Sequence, residues 1–543
     1  MSREDDLRQI GPAFACFALT ALAVGAAWWW LGAPVKLPPS PLAAGEKLSC
    51  LSYAPFRGSQ DPLVEGTHVT AEQIDQDLAL LTKYTNCIRT YSVDDGRDDV
   101  LKSARRYGLK VLHGVWVSGD PDKTRRQVAT SVAYAKDYQD VITAIVVGNE
   151  VLLRGEMTAE NLTAVIRDIK AQVPMPVTYA DVWEFWLRYP DVGNAVDFVT
   201  IHVLPYWEDF PIPASHAAAH LVAIRNKVAA AFPGKEIVIG EFGWPSAGRM
   251  REGARPSRSN QAIAVIEALA AGKRENIRLN IIEAFDQPWK RALEGAVGGY
   301  WGVIDRATDA PKFSFDGGSV SDHPHWRAQA LAGIVLAALT FGAAFAAGRK
   351  KGFPAYVWIK IGAVALLPAI LIGWTIETVL IESFSAGSWL RSLAFAAVAA
   401  VAPIVGAAAC AIGRPAPAFA ALLGGSGSRR GLLDWALGGT LIVLILVAVE
   451  AALGLVFDPR YRDIPFAPLT GAAAPFLVLL LTTSRPAGSR AVAETVAAAV
   501  LALSAVYIVI NETFANWQSV WFCAGLIGLA VILLTVRDAP DQE

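Results

Sequence analysis

Ile142-Thr-Ala-Ile-Val-Val-Gly-Asn-Glu150 is the stretch that most narrows the folds open to this chain. Five of its first six residues are apolar, which reads as a strand buried on both faces, as in a parallel sheet. It ends abruptly in Gly148-Asn149-Glu150, and barrel enzymes place catalytic groups at the carboxyl ends of such strands. A second stretch, Glu236-Ile-Val-Ile-Gly-Glu241-Phe-Gly-Trp-Pro245, also carries a buried strand into a glutamate. Either glutamate alone also fits a solvated loop carboxylate. Together they suggest the paired carboxylates of glycoside chemistry.

Around these two stretches strand and helix patterns alternate. Eight strands are predicted: Leu48–Tyr53, Cys87–Ser92, Leu109–Val117, Ile142–Val147, Val177–Asp181, Val196–His202, Glu236–Gly240 and Leu279–Ala284. Helical patterns start at Val69, with Thr70 as N-cap and Gln73 at the reciprocal capping position. Others run over Asp98–Tyr107, stopped by Gly108, and over Thr158–Val173, Ala214–Phe232 and Ser259–Ala271. Eight alternations over about 270 residues fit an α/β (β/α)₈ TIM barrel at residues 48–326 better than an open doubly wound sheet. No Gly-rich phosphate loop follows the first strand, which counts against a nucleotide fold.

Composition separates a second architecture from the first. Hydrophobic residues make up 53% of the 543, too many for an ordinary soluble enzyme, and the excess lies in residues 10–32 and 328–536. After a charged tail at residues 1–9, Ile10 to Gly32 is uncharged and ends in Trp28-Trp29-Trp30. It is long enough to cross a bilayer and is preferred as an uncleaved anchor over a signal peptide. Residues 33–47 read as an extended Pro-rich linker. Seven further spans are expected near 328–348, 355–381, 389–412, 432–456, 466–484, 491–511 and 514–536. They give an all-α multi-span transmembrane domain at 327–537 before a tail at 538–543. With these spans alternating, Arg349-Lys350-Lys351, Arg414 with Arg429-Arg430, Arg485 with Arg490, and Arg537 all fall on one side, the cytoplasmic one. The barrel is then outside, periplasmic in a cell with two membranes. Glu377, Glu450 and Glu494 fall in or at the ends of spans, where a buried carboxylate is a candidate functional group and one near an interface is not. A formal net charge of −2 gives no argument for nucleic acid. Five cysteines make no disulfide framework. Cys50 and Cys87 fall on adjacent predicted strands, where a disulfide is open to them in an oxidising compartment but buried thiols are the expected form.

Gly148-Asn149-Glu150-Val151 and Gly240-Glu241-Phe242-Gly243-Trp244-Pro245-Ser246 resemble glycoside hydrolase family 17, the β-1,3-glucanase and β-glucanosyltransferase family. Leu51-Ser-Tyr-Ala-Pro-Phe56, Ile88-Arg-Thr-Tyr-Ser92 and Glu283-Ala-Phe-Asp-Gln-Pro-Trp-Lys290 agree with it, over roughly residues 48–316. The likeness is to fungal and bacterial members, including membrane-bound proteins of the β-(1,3)/(1,6)-glucan synthase type. Where the family's first strand often has Asn before Tyr, this chain has Ser52-Tyr53. The resemblance implies Glu150 as acid/base and Glu241 as nucleophile of a retaining glycosidase, whose carboxyl groups lie about 5–5.5 Å apart. One must stay protonated while the other is ionised. Asn149 is placed to donate to the sugar 2-OH, Tyr206 to donate to the nucleophile, and Arg89 to keep Glu241 ionised. Glu283 and Lys290 are the family's further cleft pair.

Aromatic residues crowd the strand ends: Tyr53, Tyr91, Trp116, Trp183, Trp186, Trp207, Trp244 and Trp289. About half are expected to stack sugars, with Trp183, Trp186 and Trp207 as acceptor-side surfaces. His113, His202, Glu156 and Asp181 show no metal-ligand spacing, and neither metal nor cofactor is expected. The resulting expectation is a membrane-anchored retaining transglycosylase acting on β-1,3-glucan, elongating it or branching it through β-1,6 links. Its partners are a β-glucan chain, the lipid bilayer and a separate glucan synthase. A plain β-1,3-glucan hydrolase and a non-catalytic glucan-binding or export component are the alternatives.

Overall fold

The computed structural model describes residues 3–349, 353–418, 422, 431–483 and 492–536, with side chains from residue 10 onward. Two compact units make up the chain: Val35–Ala247 with Gly253–Val320, and Met1–Pro34 with Gly248–Glu252 and Ser321–Glu543.

The first unit is a closed barrel of eight parallel strands: β1 (Cys50–Ser52), β2 (Cys87–Arg89), β3 (Lys110–Val115), β4 (Ile142–Asn149), β5 (Val177–Val182), β6 (Val199–His202), β7 (Ile237–Phe242) and β8 (Leu279–Ile281). All eight predicted strands are present, and β8 closes on β1 through Cys50 opposite Asn280 and Leu51 opposite Ile281. Along β4, Ile145 and Val147 join the large cluster formed with the helices, while Ala144 joins a separate one with Phe198 and Val238. The period-two alternation thus gives this part of β4 two apolar faces, one for each cluster, and Leu112 on β3 and Val238 on β7 share the second. Each aliphatic side chain fully buried this way contributes about 2 kcal/mol.

One expectation is overturned at β1 and β2. Leu51 lies opposite Ile88, which sets Cys50 opposite Cys87 with Cα atoms 4.4 Å apart, and the two form a disulfide rather than buried thiols. Parallel register brings the pair within bonding reach. Closing a loop of sequence separation 37 in the unfolded chain is worth roughly 3–5 kcal/mol.

Seven helices follow the strands: α1 (Ala71–Leu81), α2 (Asp99–Tyr107), α3 (Pro121–Asp137), α4 (Ala159–Lys170), α5 (Trp183–Arg188), α6 (Ala217–Ala231) and α7 (Arg258–Arg274). Thr70 caps α1 by accepting from the Gln73 amide, but the Gln73 side chain turns away to the Pro55 carbonyl, so the reciprocal half of the capping box is not made. Gly108 ends α2 at φ 69°, where a left-handed residue frees the last carbonyls for its own amide. Helices α3 and α5 are absent from the sequence-based assignment. The first carries a readable start, Asp120 capping two amides with Pro121 behind it. Part of the expected linker is a strand: Val35 and Lys36 pair antiparallel with Val320 and Ser319.

The second unit is helical. Among the described residues seven helices are long and apolar enough to cross a membrane: Ile10–Leu31, Trp326–Gly348, Val357–Glu382, Ala386–Ile412, Leu432–Phe457, Val492–Glu512 and Trp517–Thr535. The remaining expected span, near 466–484, is the helix Phe466–Thr482, whose 17 residues are the short limit for a crossing helix. Several polar side chains of this unit are paired. Glu377 accepts from His323 Nδ1 (2.8 Å) and Gln329 Nε2 (3.2 Å), and Glu450 lies 3.7 Å from Arg391. Glu494 is buried. Arg249, in the short segment that belongs to this unit, is buried against Glu512 and donates to the Arg462 carbonyl at 3.0 Å. Of the basic loop residues used to orient the spans, Lys350, Lys351, Arg429, Arg430, Arg485, Arg490 and Arg537 lie outside the described residues.

Candidate active site

Strand β7 brings Glu241 inside the barrel mouth, 4% exposed. Three groups converge on its Oε1. Arg89 Nη1, from β2, donates at 2.9 Å and also reaches the Gly240 carbonyl at 2.8 Å. The Tyr91 hydroxyl lies at 2.9 Å, and His202 Nε2 at 3.5 Å. Burial first, and the Glu241 charge second, push the Tyr91 phenol well up, so it stays a donor. Ser52 Oγ is 2.8 Å from that hydroxyl and accepts from Asn280 Nδ2 at 2.8 Å. The departure from the family's pattern at Ser52 therefore falls on the support of Tyr91. A Cβ on Gly240 would sit 2.4 Å from the Thr200 methyl and 3.2 Å from the His202 ring, so glycine before Glu241 makes room first for Thr200 and then for that imidazole.

Glu150 is placed differently. A register shift in the β4–β5 pairing after Val146, with Gly148 at φ 84°, turns the chain so that Glu150 adopts φ 54°. A non-glycine residue in the left-handed region costs free energy and persists only where its surroundings hold it. Here its amide donates to the Ala180 carbonyl at 2.8 Å and its carbonyl accepts from Arg154 N at 2.9 Å. The Arg154 guanidinium donates to the Asn149 carbonyl, to Val117 O at 3.2 Å and to Glu156 at 2.9 Å, and lies 4.4 Å over the Trp116 ring. The Glu150 side chain is 23% exposed, and its Oε1 meets His202 Nδ1 at 2.8 Å. Asn149 accepts from Arg89 Nη2 at 2.6 Å through its Oδ1, which leaves its amide free to aim at a sugar hydroxyl.

One carboxylate oxygen of each glutamate and a His202 ring nitrogen lie within 4.8 Å of one another. That is the close spacing of a retaining pair, not the roughly 6.5–9.5 Å that leaves room for an inverting water. The same three groups could in principle ligate a cation, but Arg89 already supplies positive charge at Glu241 and the His202 nitrogens face both carboxylates. The expected electrostatics differ at Glu150. Burial raises its pKa, yet the His202 hydrogen bond and charge, then Arg154 and Arg89, outweigh that and hold the carboxyl below its ordinary value.

A second polar group lines the mouth after β8. Glu283 is buried with Lys290 Nζ 3.0 Å from both its oxygens. Burial pushes its carboxyl up to about 7, with Lys290 opposing. Glu294, which sequence reasoning missed, is likewise pushed up to about 7. Burial is the largest cause, and the charges of Glu283, Glu150 and Glu241 add to it.

The aromatic expectations divide. Tyr91, Trp183 and Trp207 are partly exposed. Trp207 stacks on Trp301 at 6.5 Å, and Trp183 donates to Glu208 at 3.2 Å with Lys227 over one face. Three others are corrections. Trp186 is 1% exposed, donates to the Thr200 carbonyl and packs on Tyr179 and Phe232. Trp244 is buried with its indole on the Arg255 carbonyl, and Tyr53 is buried with its hydroxyl on Asp77. None of the three presents a ring to a sugar. Tyr206, expected as a donor to Glu241 rather than a stacking surface, is buried edge-on against Trp207, Trp244 and Trp301. Strand and helix periodicity give a residue's place but not which neighbour its ring meets. His202, the residue that joins the two glutamates, was visible as a strand-end histidine, but only as a metal ligand without a partner set.

A closed barrel with two adjacent strand-end glutamates, one pinned by arginine and tyrosine, is a glycosidase. Residues 50–302 match the BtgE/BtgC glycoside hydrolase domain, in accord with the family 17 resemblance. The chain is 24% identical over 274 residues to a glucan 1,3-beta-glucosidase of Saccharomyces cerevisiae, covering 46% of this chain and 87% of that one. It is 28% identical over 243 residues to a glucan 1,3-beta-glucosidase of Schizosaccharomyces pombe, 42% of this chain and 75% of the relative. It is 26% identical to a probable beta-glucosidase btgE of Aspergillus flavus, of whose length it spans 42%. A family 17 β-1,3-glucanosyltransferase structure from Rhizomucor miehei aligns with 50% of the chain and 98% of its own, at 24% identity and a TM-score of 0.45.

Proposed function

We propose that the barrel is a retaining β-1,3-glucan transglycosylase that works at the outer face of a membrane and elongates or branches a glucan made by a separate synthase. The observation that carries the reading is the pair Glu150 and Glu241 with oxygens within 4.8 Å. Glu241 attacks the anomeric carbon while Glu150 protonates the leaving oxygen; Glu150 then takes the proton of the incoming nucleophile as the glycosyl ester breaks. β-1,3-Glucan as substrate is supported by the names of the relatives. Water is present at tens of molar, so transfer wins only where an acceptor is held in attack geometry, and Trp183 and Trp207 are the partly exposed rings that offer it a surface. Apolar helices in the second unit support membrane residence, and the Cys50–Cys87 disulfide supports a barrel outside the cytoplasm. Plain hydrolysis is the second reading, favoured by relatives named as glucosidases.

Product analysis separates them. The full-length protein in detergent, given a short β-1,3-glucan oligosaccharide, is expected to yield products longer than the donor, with linkage read by methylation analysis. Free sugar alone at high acceptor concentration would overturn transfer and leave the hydrolase. For the orientation, a reporter active only outside the membrane is expected to give signal when fused after Val320 and none after Gly424; the reverse pattern would overturn it.

A further inference from the structure

The glycosidase reading leaves one observation unused: the ring that lies between its two carboxylates. His202 is buried, with Nδ1 2.8 Å from Glu150 Oε1 and Nε2 3.5 Å from Glu241 Oε1. A neutral imidazole has one donor and one acceptor nitrogen, and an acceptor facing a carboxylate would be repelled. Arg89 Nη1, 3.3 Å from Nε2, has its two hydrogens on the Gly240 carbonyl and Glu241 Oε1 and none left for that nitrogen, so it is the imidazolium that offers a proton to both sides. Charged groups reach the ring from four strands: Arg89 on β2 at 3.3 Å, Glu150 beyond β4, Asp181 on β5 and Glu241 on β7.

We infer that His202 is the proton reservoir of Glu150: in the open cleft the catalytic proton rests on the imidazole, and it passes to the carboxylate when a glycan fills the site. This rests on Glu150 and Glu241 being the acid/base and the nucleophile.

The charge count makes the transfer feasible. Imidazolium and Arg89 balance the two anionic glutamates. Moving the Nδ1 proton across 2.8 Å to Glu150 leaves neutral imidazole and neutral carboxylic acid, with Arg89 still balancing Glu241. Net charge is the same before and after. A glycan that expels water makes a separated ion pair costlier than the neutral pair, so occupancy itself drives the proton to Glu150. The steps then balance. The His202 N–H bond breaks as the Glu150 O–H bond forms. That proton goes to the glycosidic oxygen, which leaves with the C–O electron pair as Glu241 bonds to the anomeric carbon. In the second half the acceptor hydroxyl gives its proton to Glu150 as its oxygen displaces Glu241, and the proton returns to His202. A carboxyl held below its ordinary value in the empty site can therefore still act as an acid in the filled one.

The pH dependence of kcat/KM for aryl β-glucan oligosaccharides, measured on the full-length protein in detergent, tests this. For a poor leaving group the basic limb reports loss of the shared proton. In His202→Asn it is expected to move to lower pH by about one unit or more, because the carboxyl alone then holds the proton. A dinitrophenyl leaving group needs no acid and is expected to show no such limb in either protein. A uniform fall at every pH, with the limb unmoved, would reduce His202 to a structural residue and overturn the inference. Labelling of Glu241 by an activated 2-fluoro sugar keeps the two readings apart. An unmoved limb with labelling intact defeats the reservoir alone, whereas failure to label the wild type defeats the glycosidase assignment and the reservoir with it. Should His202→Asn not fold, ¹⁵N-histidine spectra of wild type and Glu150→Gln decide. Of the seven histidines, one is expected to lose about a unit or more from its titration midpoint when the Glu150 charge goes, and seven unchanged midpoints would overturn the inference.

Discussion

The ends of β4 and β7 carry the same side chain into the same cleft and treat it in opposite ways. Glu241 lies within its strand, 4% exposed, with Arg89 and Tyr91 on one oxygen. Glu150 lies one residue past its strand, left-handed and about a quarter exposed, and its carboxylate meets a single titratable partner, His202. A nucleophile must be anionic and immobile, which burial beside a fixed cation provides. An acid/base must change protonation twice per turnover and exchange protons with what enters, which needs a titratable neighbour and an open side. The contrast between the two strand ends matches the division of labour proposed for the reaction.

The sharpest break in that contrast removes each carboxylate in turn. Glu241→Gln is expected to lower kcat/KM on the order of 10⁴-fold or more for every leaving group and to abolish labelling by an activated fluoro sugar. Glu150→Gln is expected to cost about 10²–10⁴-fold with a poor leaving group but little in the labelling step with a dinitrophenyl one. Normal labelling of Glu241→Gln would reverse the roles.

Both strand ends were legible in the sequence because a buried parallel strand is an apolar run and its catalytic end is where the run stops. The eight strands followed for the same reason. Side-chain direction did not follow. Tyr53 and Trp244 stand at strand ends yet point into the shell, where Asp77 and the Arg255 carbonyl take their polar atoms. Helix α5, too short for a periodic signal, turns Trp186 onto Tyr179 and Phe232. The disulfide depends on register, which an apolar run does not encode; Cys50 and Cys87 could equally have sat one residue apart across the sheet.

Next in size is the arginine at Glu241. Arg89 is 1% exposed, and Arg89→Met keeps most of its length while removing the charged donor of Glu241, with Tyr91 still on that oxygen and Asn280 still on the Gly240 carbonyl. Breaking a buried pair from one side costs about 3–5 kcal/mol, because the remaining charge is uncompensated. Thermal or denaturant unfolding of the variant is expected to show a loss of that order, alongside a fall in kcat/KM. A loss under about 1 kcal/mol would mean that water replaces the guanidinium, and that Glu241 is less enclosed than its burial implies.

The smallest effect is expected at the arginine of the other strand end. Arg154 is about a quarter exposed and touches not the Glu150 carboxylate but the peptide before it, through the Asn149 carbonyl, with Trp116 beneath its plane. It acts on Glu150 in two separable ways. Its fork helps hold the left-handed turn, and its charge lowers the proton affinity of the carboxyl. Arg154→Lys keeps the charge and loses the fork, so kcat/KM is expected to fall several-fold, about 3–10, with the pH profile unmoved. Arg154→Met loses both. The same fall is expected with the basic limb moving to higher pH by about a few tenths of a unit, since removing a nearby positive charge stabilises the protonated state. That direction is opposite to the one expected of His202→Asn, although both variants remove a cation near Glu150. A charge that merely repels the proton and a group that stores it therefore move the limb in opposite senses. If both variants moved it the same way, His202 would be acting on Glu150 only through its charge.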